Sequence, residues 1–219
     1  MSSKLGGMLG QGSFGKVYLL GKDRVVKYIH LYQDGLNDYI EPYILSNLDH
    51  RNIMKSEFIS LGEGQLKILM EKGDPISTIP DQYIKKDKMG LFNQVKDGLI
   101  FLHSRGIVHG DIKPSNVIKI GDIYKINDFG LSMLLRTDPQ DIDIPVYSEN
   151  YRPPEVKGWL ISRKSDIWAF GKLLENYFTY KDMLKKGYKN FLKERLEDRP
   201  LFSKTSYFIT DTQIVQNNL

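Results

Sequence analysis

The chain has no cysteine. Disulfide bonds, thiolate metal sites and thiol nucleophiles are therefore excluded, and the composition suits an intracellular, cytoplasmic protein. No run approaches the ~20 apolar residues of a membrane span. No apolar stretch of signal-peptide length opens the chain, and Met1-Ser2-Ser3 lacks the glycine that N-myristoylation requires. Neither export nor lipid anchoring is expected. Charge of one sign is not in great excess: 31 Lys and Arg against 27 Asp and Glu leave a net +4. That balance gives no argument for nucleic acid or a membrane as partner. The doublets Lys85-Lys86 and Lys185-Lys186 read as solvated helix faces. The G-x-x-x-x-G-K-[ST] pattern is missing, which excludes a P-loop NTPase. Internal repeats, heptads and low-complexity linkers are missing too.

What is present fits 219 residues of ordinary globular composition, room for one large domain or two small lobes. The chemistry concentrates in His109-Gly110-Asp111-Ile112-Lys113-Pro114-Ser115-Asn116, followed by Asp128-Phe129-Gly130. Phosphoryl transfer asks a protein for positioning and charge neutralisation more than for covalent chemistry. Asp111 suits the task of orienting an attacking hydroxyl. Asn116 and Asp128 offer oxygen ligands of the kind magnesium prefers. Lys113 can steady the charge of a moving phosphoryl group. A second stretch, Leu9-Gly10-Gln11-Gly12-Ser13-Phe14-Gly15-Lys16-Val17-Tyr18, lies between strand-like residues. Its glycines allow backbone N–H groups to approach phosphate oxygens, although a tight hairpin alone accounts for the same residues.

Periodicity places the remaining elements. Ile44, Leu45 and Leu48 share one face of a helix. Pro42 fits only a helix's first turn, so this helix is expected to begin near Glu41. Glu57 to Leu61 and Leu66 to Met70 read as a hairpin about Gly62-Glu63-Gly64. Met89, Leu91, Phe92, Val95, Leu99 and Leu102 recur at helical spacing between Asp87 and Ser104, ahead of Gly106. Ile107-Val108, Val117 to Ile120 and Tyr124 to Ile126 are short strands.

H-x-D-x-K-x-x-N followed by D-F-G resembles the catalytic and magnesium-binding loops of the eukaryotic-type protein kinase family, in its Ser/Thr branch. The resemblance runs in order from Leu9 to Pro200. It implies an α+β, bilobal protein kinase fold, with a small antiparallel β-sheet lobe carrying the helix αC. The large lobe is mainly helical and lacks much of the αG region, because only about thirty residues separate Trp168 from Arg199. The whole chain, 1–219, would be one kinase domain, with the small lobe at 1–71 and a truncated large lobe at 72–219. By this resemblance ATP and Mg2+ are the cofactors. Leu9, Gly10, Gln11, Gly12, Ser13, Phe14 and Gly15 form the glycine-rich loop, and Val17 covers the adenine. Val25-Val26-Lys27 resembles V-A-I-K, so Lys27 pairs the α- and β-phosphates and Glu41 pairs Lys27. Met70 resembles the gatekeeper. The backbone of Glu71 and Gly73 would bond adenine, with Ile118 packed beneath it, opposite Val17 and Val25. Asp111 is the catalytic carboxylate that orients the substrate hydroxyl, assisted by Lys113 and Asn116. Asn116 and Asp128 are the metal ligands.

Further motifs extend the likeness. Ser148-Glu-Asn-Tyr-Arg-Pro-Pro-Glu155 resembles T-x-x-Y-x-A-P-E, so Ser148 would meet Asp111 and Lys113. Ser165-Asp166-Ile-Trp-Ala-Phe-Gly171 resembles the helix whose aspartate braces the catalytic loop, and Arg199 is matched to Glu155. Three residues depart from the pattern. Gly110 replaces an arginine that normally binds a phosphate on the activation segment, which implies an enzyme not switched on that way. Ser56 replaces an apolar residue in a column that stiffens the active form, and Pro42 leaves the Glu41 geometry open. The expected function is an ATP- and magnesium-dependent protein Ser/Thr kinase, a monomer acting on protein hydroxyls. Two alternatives remain at this point. One is a kinase-shaped decoy without catalysis, and the other a small-molecule kinase of the aminoglycoside or choline type, whose loop H-G-D-x-x-x-x-N also resembles. Richness in Lys, Ile, Asn and Tyr suits a small AT-rich genome, a viral one included, with the host cytoplasm as the place of action. Tyr207-Phe208-Ile209 would belong to a short closing helix or a loose tail.

Overall fold

Strand periodicity organises the first third of the chain. Along Gln65–Glu71 half-buried and buried residues alternate without a break, the pattern of a strand with one face in a core. The computed structural model describes residues 5–12, 15–30, 37–62, 65–142 and 148–202. Five strands, β1 (Leu5–Gly12), β2 (Gly15–Leu20), β3 (Arg24–His30), β4 (Ser56–Gly62) and β5 (Gln65–Glu71), form one antiparallel sheet in the order β1-β2-β3-β5-β4. Helix α1 (Asn37–Asn47) crosses beside it.

The start of α1 departs from expectation. The helix begins at Asn37, a turn before Glu41, and Pro42 lies inside it. A proline there removes one hydrogen bond, to the carbonyl of residue 38, close to the helix start. Ile44 and Leu45 are both fully buried, each contributing about 1.5–3 kcal/mol. That burial outweighs the missing bond.

After the five-stranded sheet, β6 (Asp74–Pro75) pairs with β8 (Val117–Ile120). Helices α2 (Asp81–Lys86) and α3 (Lys88–His103) follow. Leu91, Val95, Leu99 and Leu102 make the buried stripe of α3, all with no exposure. Met89 does not join it and is 37% exposed; two residues before Leu91, it points about 200° away around the helix. The strands β7 (Ile107–Val108), β8 and β9 (Ile123–Ile126) bracket the two loops rich in acids. Beyond them lie β10 (Met133–Leu134), β11 (Gln140–Asp141), β12 (Leu160–Ile161), α4 (Arg163–Glu175) and α5 (Tyr180–Lys185).

Between Glu175 and Arg199 the described chain holds only the six-residue α5 and two 3-10 turns, so the αG region is cut down as expected. Aromatic rings fill the base of the lobe instead. Phe92 stacks on Tyr188 at 4.3 Å, and Phe170 packs against Phe191 and Phe202. The architecture is a bilobal protein kinase fold, a sheet lobe over a shortened helical lobe. No helix among the described residues is long and apolar enough to cross a membrane. Tyr207-Phe208-Ile209 lie outside the described residues, as do Ser13 and Phe14.

Candidate active site

Residues two apart on a strand share a face, so Val25 and Lys27 of β3 point the same way. Val25 lies opposite Met70 on β5, and Lys27 opposite Val17 on β2. Lys27 is buried at 7% exposure. Its ammonium meets both oxygens of Glu41, at 2.7 and 2.9 Å, and Oδ1 of Asp128 at 2.8 Å. Pro42 therefore does not prevent Glu41 from reaching Lys27. Burial alone would pull the lysine pKa down, but Glu41 and Asp128 outweigh it and hold it above its ordinary value. Burial pushes Glu41 up against the pull of Lys27. Burial also acts to raise Asp128, yet Lys27, with help from His109 and Lys113, holds it below the usual carboxylate range. The lysine stays charged and links the two lobes.

Below it, the loop from His109 to Asn116 is hung from α4. The Asp166 carboxylate, fully buried, accepts from the backbone N–H of His109 at 2.8 Å and of Gly110 at 2.9 Å, and lies 2.8 Å from His103 Nε2. Gly110 has φ +80°, and a Cβ there would stand 2.6 Å from the Leu131 carbonyl oxygen. Any side chain there would be strained on both counts, and glycine avoids that strain. Asp111 follows, buried. Asn116 donates to its carbonyl at 2.9 Å and its Oδ2 at 3.0 Å. Lys113 Nζ lies 2.7 Å from Asp111 Oδ2 and donates to Ser148 Oγ at 2.7 Å, while Ser148 donates to Asp111 Oδ1 at 2.8 Å. Asp128 takes φ +65°, a region that Asp tolerates better than most residues. Phe129 beside it is buried edge-on against His109, 5.1 Å between centroids.

The other sequence-predicted residues lie around this centre. Met70 is buried, and Glu71 pairs with Lys125 of β9 at 2.6 Å. Gly73 presses on the floor strand: a Cβ there would lie 2.4 Å from Ile118. Leu9, Gly10, Gln11 and Gly12 form the end of β1, with Gly12 opposite Gly15. Gly15 has its own reason to be glycine, since a Cβ would lie 2.3 Å from the carbonyl oxygen of Tyr28 on β3. The tight sheet by itself calls for glycine there. Ser56 donates to the Leu45 carbonyl at 3.0 Å, so a hydrogen bond ties β4 to α1 at the position where the family pattern has an apolar residue. Glu155 and Arg199 form a buried two-pronged pair at 2.7 and 2.6 Å.

The donor set suits a hard cation shared with phosphates. Asn116 turns its amide nitrogen to Asp111, and one oxygen of Asp128 is taken by Lys27, leaving its second oxygen. Among the described residues no group of three or more His, Cys, Asp or Glu could hold a metal by itself. Magnesium commonly keeps few protein ligands and completes its shell with water and phosphate oxygens. His103, Asp138 and Arg163 escaped the sequence reading. Each acts on a residue far along the chain, and no local spacing marks them.

A protein kinase domain family matches residues 3–215 of the chain. Among curated proteins, the serine/threonine-protein kinase MAK of Rattus norvegicus is 28% identical over 197 residues, 80% of this chain and 30% of its own length. Serine/threonine-protein kinase Nek5 of Mus musculus is 32% identical over 191 residues, 80% of this chain and 30% of its own. The megakaryocyte-associated tyrosine-protein kinase of Mus musculus is 30% identical over 188 residues, with shares of 80% and 36%. The chain thus spans about a third of the length of these relatives.

Proposed function

Because the chain belongs to the protein kinase family, we propose that it is an active kinase transferring the γ-phosphoryl group of ATP, with magnesium, to serine or threonine hydroxyls of proteins. The observation that carries this reading is Lys27, held charged between Glu41 of the upper lobe and Asp128 of the lower. A decoy without catalysis has no use for a buried ammonium with that pair of partners. Magnesium-ATP, when bound, supplies the phosphoryl group and offsets the charge that develops on it.

The chain's residues do the rest. Lys27 offers a positive charge to phosphate oxygens. Asn116 and Asp128 would hold the cation. Asp111 orients the substrate hydroxyl and takes up its proton, and most of its contribution is in-line placement. Lys113, already within reach of Asp111 and Ser148, steadies the transferring group. In the family a lysine at this place goes with Ser/Thr rather than Tyr acceptors, which supports the proposed specificity, as do the printed names of MAK and Nek5.

The test is incubation of the purified chain with labelled ATP and either a generic protein or an aminoglycoside, followed by analysis of the labelled amino acid. Label on protein serine or threonine, lost in Lys27→Met, is the expected result. Label on the aminoglycoside, on tyrosine alone or on nothing overturns the reading. Phosphoproteomics of cells carrying wild type against Lys27→Met then names the substrates.

A further inference from the structure

The stretch from Asp128 to Glu155 is fastened to the large lobe in three ways. Two-residue strands pair at each side, β10 with β7 and β11 with β12. Leu135 and Ile142 pack with Val108, Val156 and Ile161 in a small cluster separate from the main core. The third fastening is ionic. Asp138 accepts from Ser162 Oγ at 2.5 Å and pairs with Arg163 Nε. The side chains of Arg163 and Asp138 are only 10% and 9% exposed.

This acid sits where a helix favours one. Ser162 is the N-cap of the 13-residue α4, with a capping box to Ser165, and the N-terminal end of a helix attracts negative charge. The same helix carries Asp166, which holds the backbone of His109 and Gly110. Glu155, at the far end of the segment, is tied to Ser165 at 2.8 Å. One helix therefore grips the catalytic loop and both ends of the clamp. A fixed carboxylate and a fixed arginine supply, from within the chain, the kind of pair a phosphate and an arginine would form. Gly110 has no side chain with which to bind such a phosphate.

Resting on the kinase reading, we propose that Asp138 is a positioning residue. With Ser162 and Arg163 it locks the activation segment open by a charge written into the sequence, so that Ser148 meets Lys113 and Asp111 with no phosphorylation required. The lock acts through the segment and touches neither nucleotide nor substrate.

The test uses the full chain as wild type, Asp138→Asn, Arg163→Gln and the double variant. Asparagine can still accept from Ser162, so Asp138→Asn keeps the contact with the start of α4. Two readouts are taken: hydrogen exchange at the amides of Leu135 and Ile142, bonded to Gly106 and Trp159 carbonyls, and kinetics on a generic protein before and after phosphatase. Each single variant is expected to exchange faster at both amides and to lose about tenfold in kcat, as when the open arrangement is populated about a tenth of the time. KM for ATP stays put, the double variant is no worse than the poorer single one, and phosphatase leaves wild type unchanged. Unaltered exchange in Asp138→Asn, or wild type silenced by phosphatase, overturns the proposal. A wild type that labels nothing sinks the kinase reading, while the exchange measurement still decides the lock.

Discussion

Gly110→Ala probes one of the two backbone positions by which the loop from His109 to Asn116 hangs from Asp166. At φ +80° a residue with a Cβ costs about 1–2 kcal/mol. The added methyl also meets the Leu131 carbonyl at 2.6 Å, so the backbone must shift. The bond at risk is the 2.9 Å contact of Gly110 N–H with the buried Asp166 carboxylate, a charge-assisted bond whose loss costs ~1.5–3 kcal/mol. Together these give a loss of about 2.5–5 kcal/mol. For a chain of this size each kcal/mol lowers the melting temperature by about 2–4 °C, so a fall of roughly 5–20 °C is expected in a thermal melt. Function should suffer as well, because Asp111 is the next residue. A displacement of about 1 Å at a reacting group can cost ~100-fold in kcat. KM for ATP should hold, since Lys27, Val17 and Met70 stand on the sheet. A melt within about 2 °C of wild type, less than 1 kcal/mol is expected to cause, together with an unchanged kcat, would refute the reasoning.

Arg199→Met strands the Glu155 carboxylate in the interior and should cost about 3–5 kcal/mol in urea denaturation, with much of it regained by adding Glu155→Leu. Ser56→Ala removes the bond to the Leu45 carbonyl and should cost about 0.5–1.5 kcal/mol; an unchanged midpoint would mean that bond is idle. Asp182 is held down to about 2 by hydrogen bonds from Lys88 and Thr179. A depressed carboxylate contributes stability that is present above its unfolded value near ~3.9 and disappears as pH falls through its folded value. Asp182→Asn should therefore flatten the stability curve between about pH 4 and pH 2; a curve unchanged from wild type would show that the shift does not report on folding.

Much of the fold was legible because periodicity is a local property. The β4–β5 hairpin and the α3 stripe follow from spacing alone, and the ordered motifs carried the family's bilobal architecture. The sequence also pointed to which polar side chains deserved watching, and the structure brings Lys27, Glu41 and Asp128 into contact, with Asp111, Lys113, Asn116 and Ser148 in a second knot. Where local rules met tertiary packing, packing won. Pro42 argued for a later helix start, but Ile44 and Leu45 bury deeply enough to keep the turn before it. Gly15 stands in the glycine-rich stretch, and the Tyr28 carbonyl across the sheet adds a steric reason for glycine that spacing does not show. The Asp138–Arg163 pair joins residues 25 positions apart, with no period or motif to announce it.

Under the proposed function, Asp111 sits where a hydroxyl is phosphorylated, within a cleft that holds ATP between Lys27 and Asp128. Single-turnover transfer from labelled ATP to a protein acceptor, comparing wild type with Asp111→Asn, tests it most directly. Nucleotide binding is predicted to survive the change while transfer falls by about 100-fold or more. Equal transfer rates in the two proteins would contradict the claim.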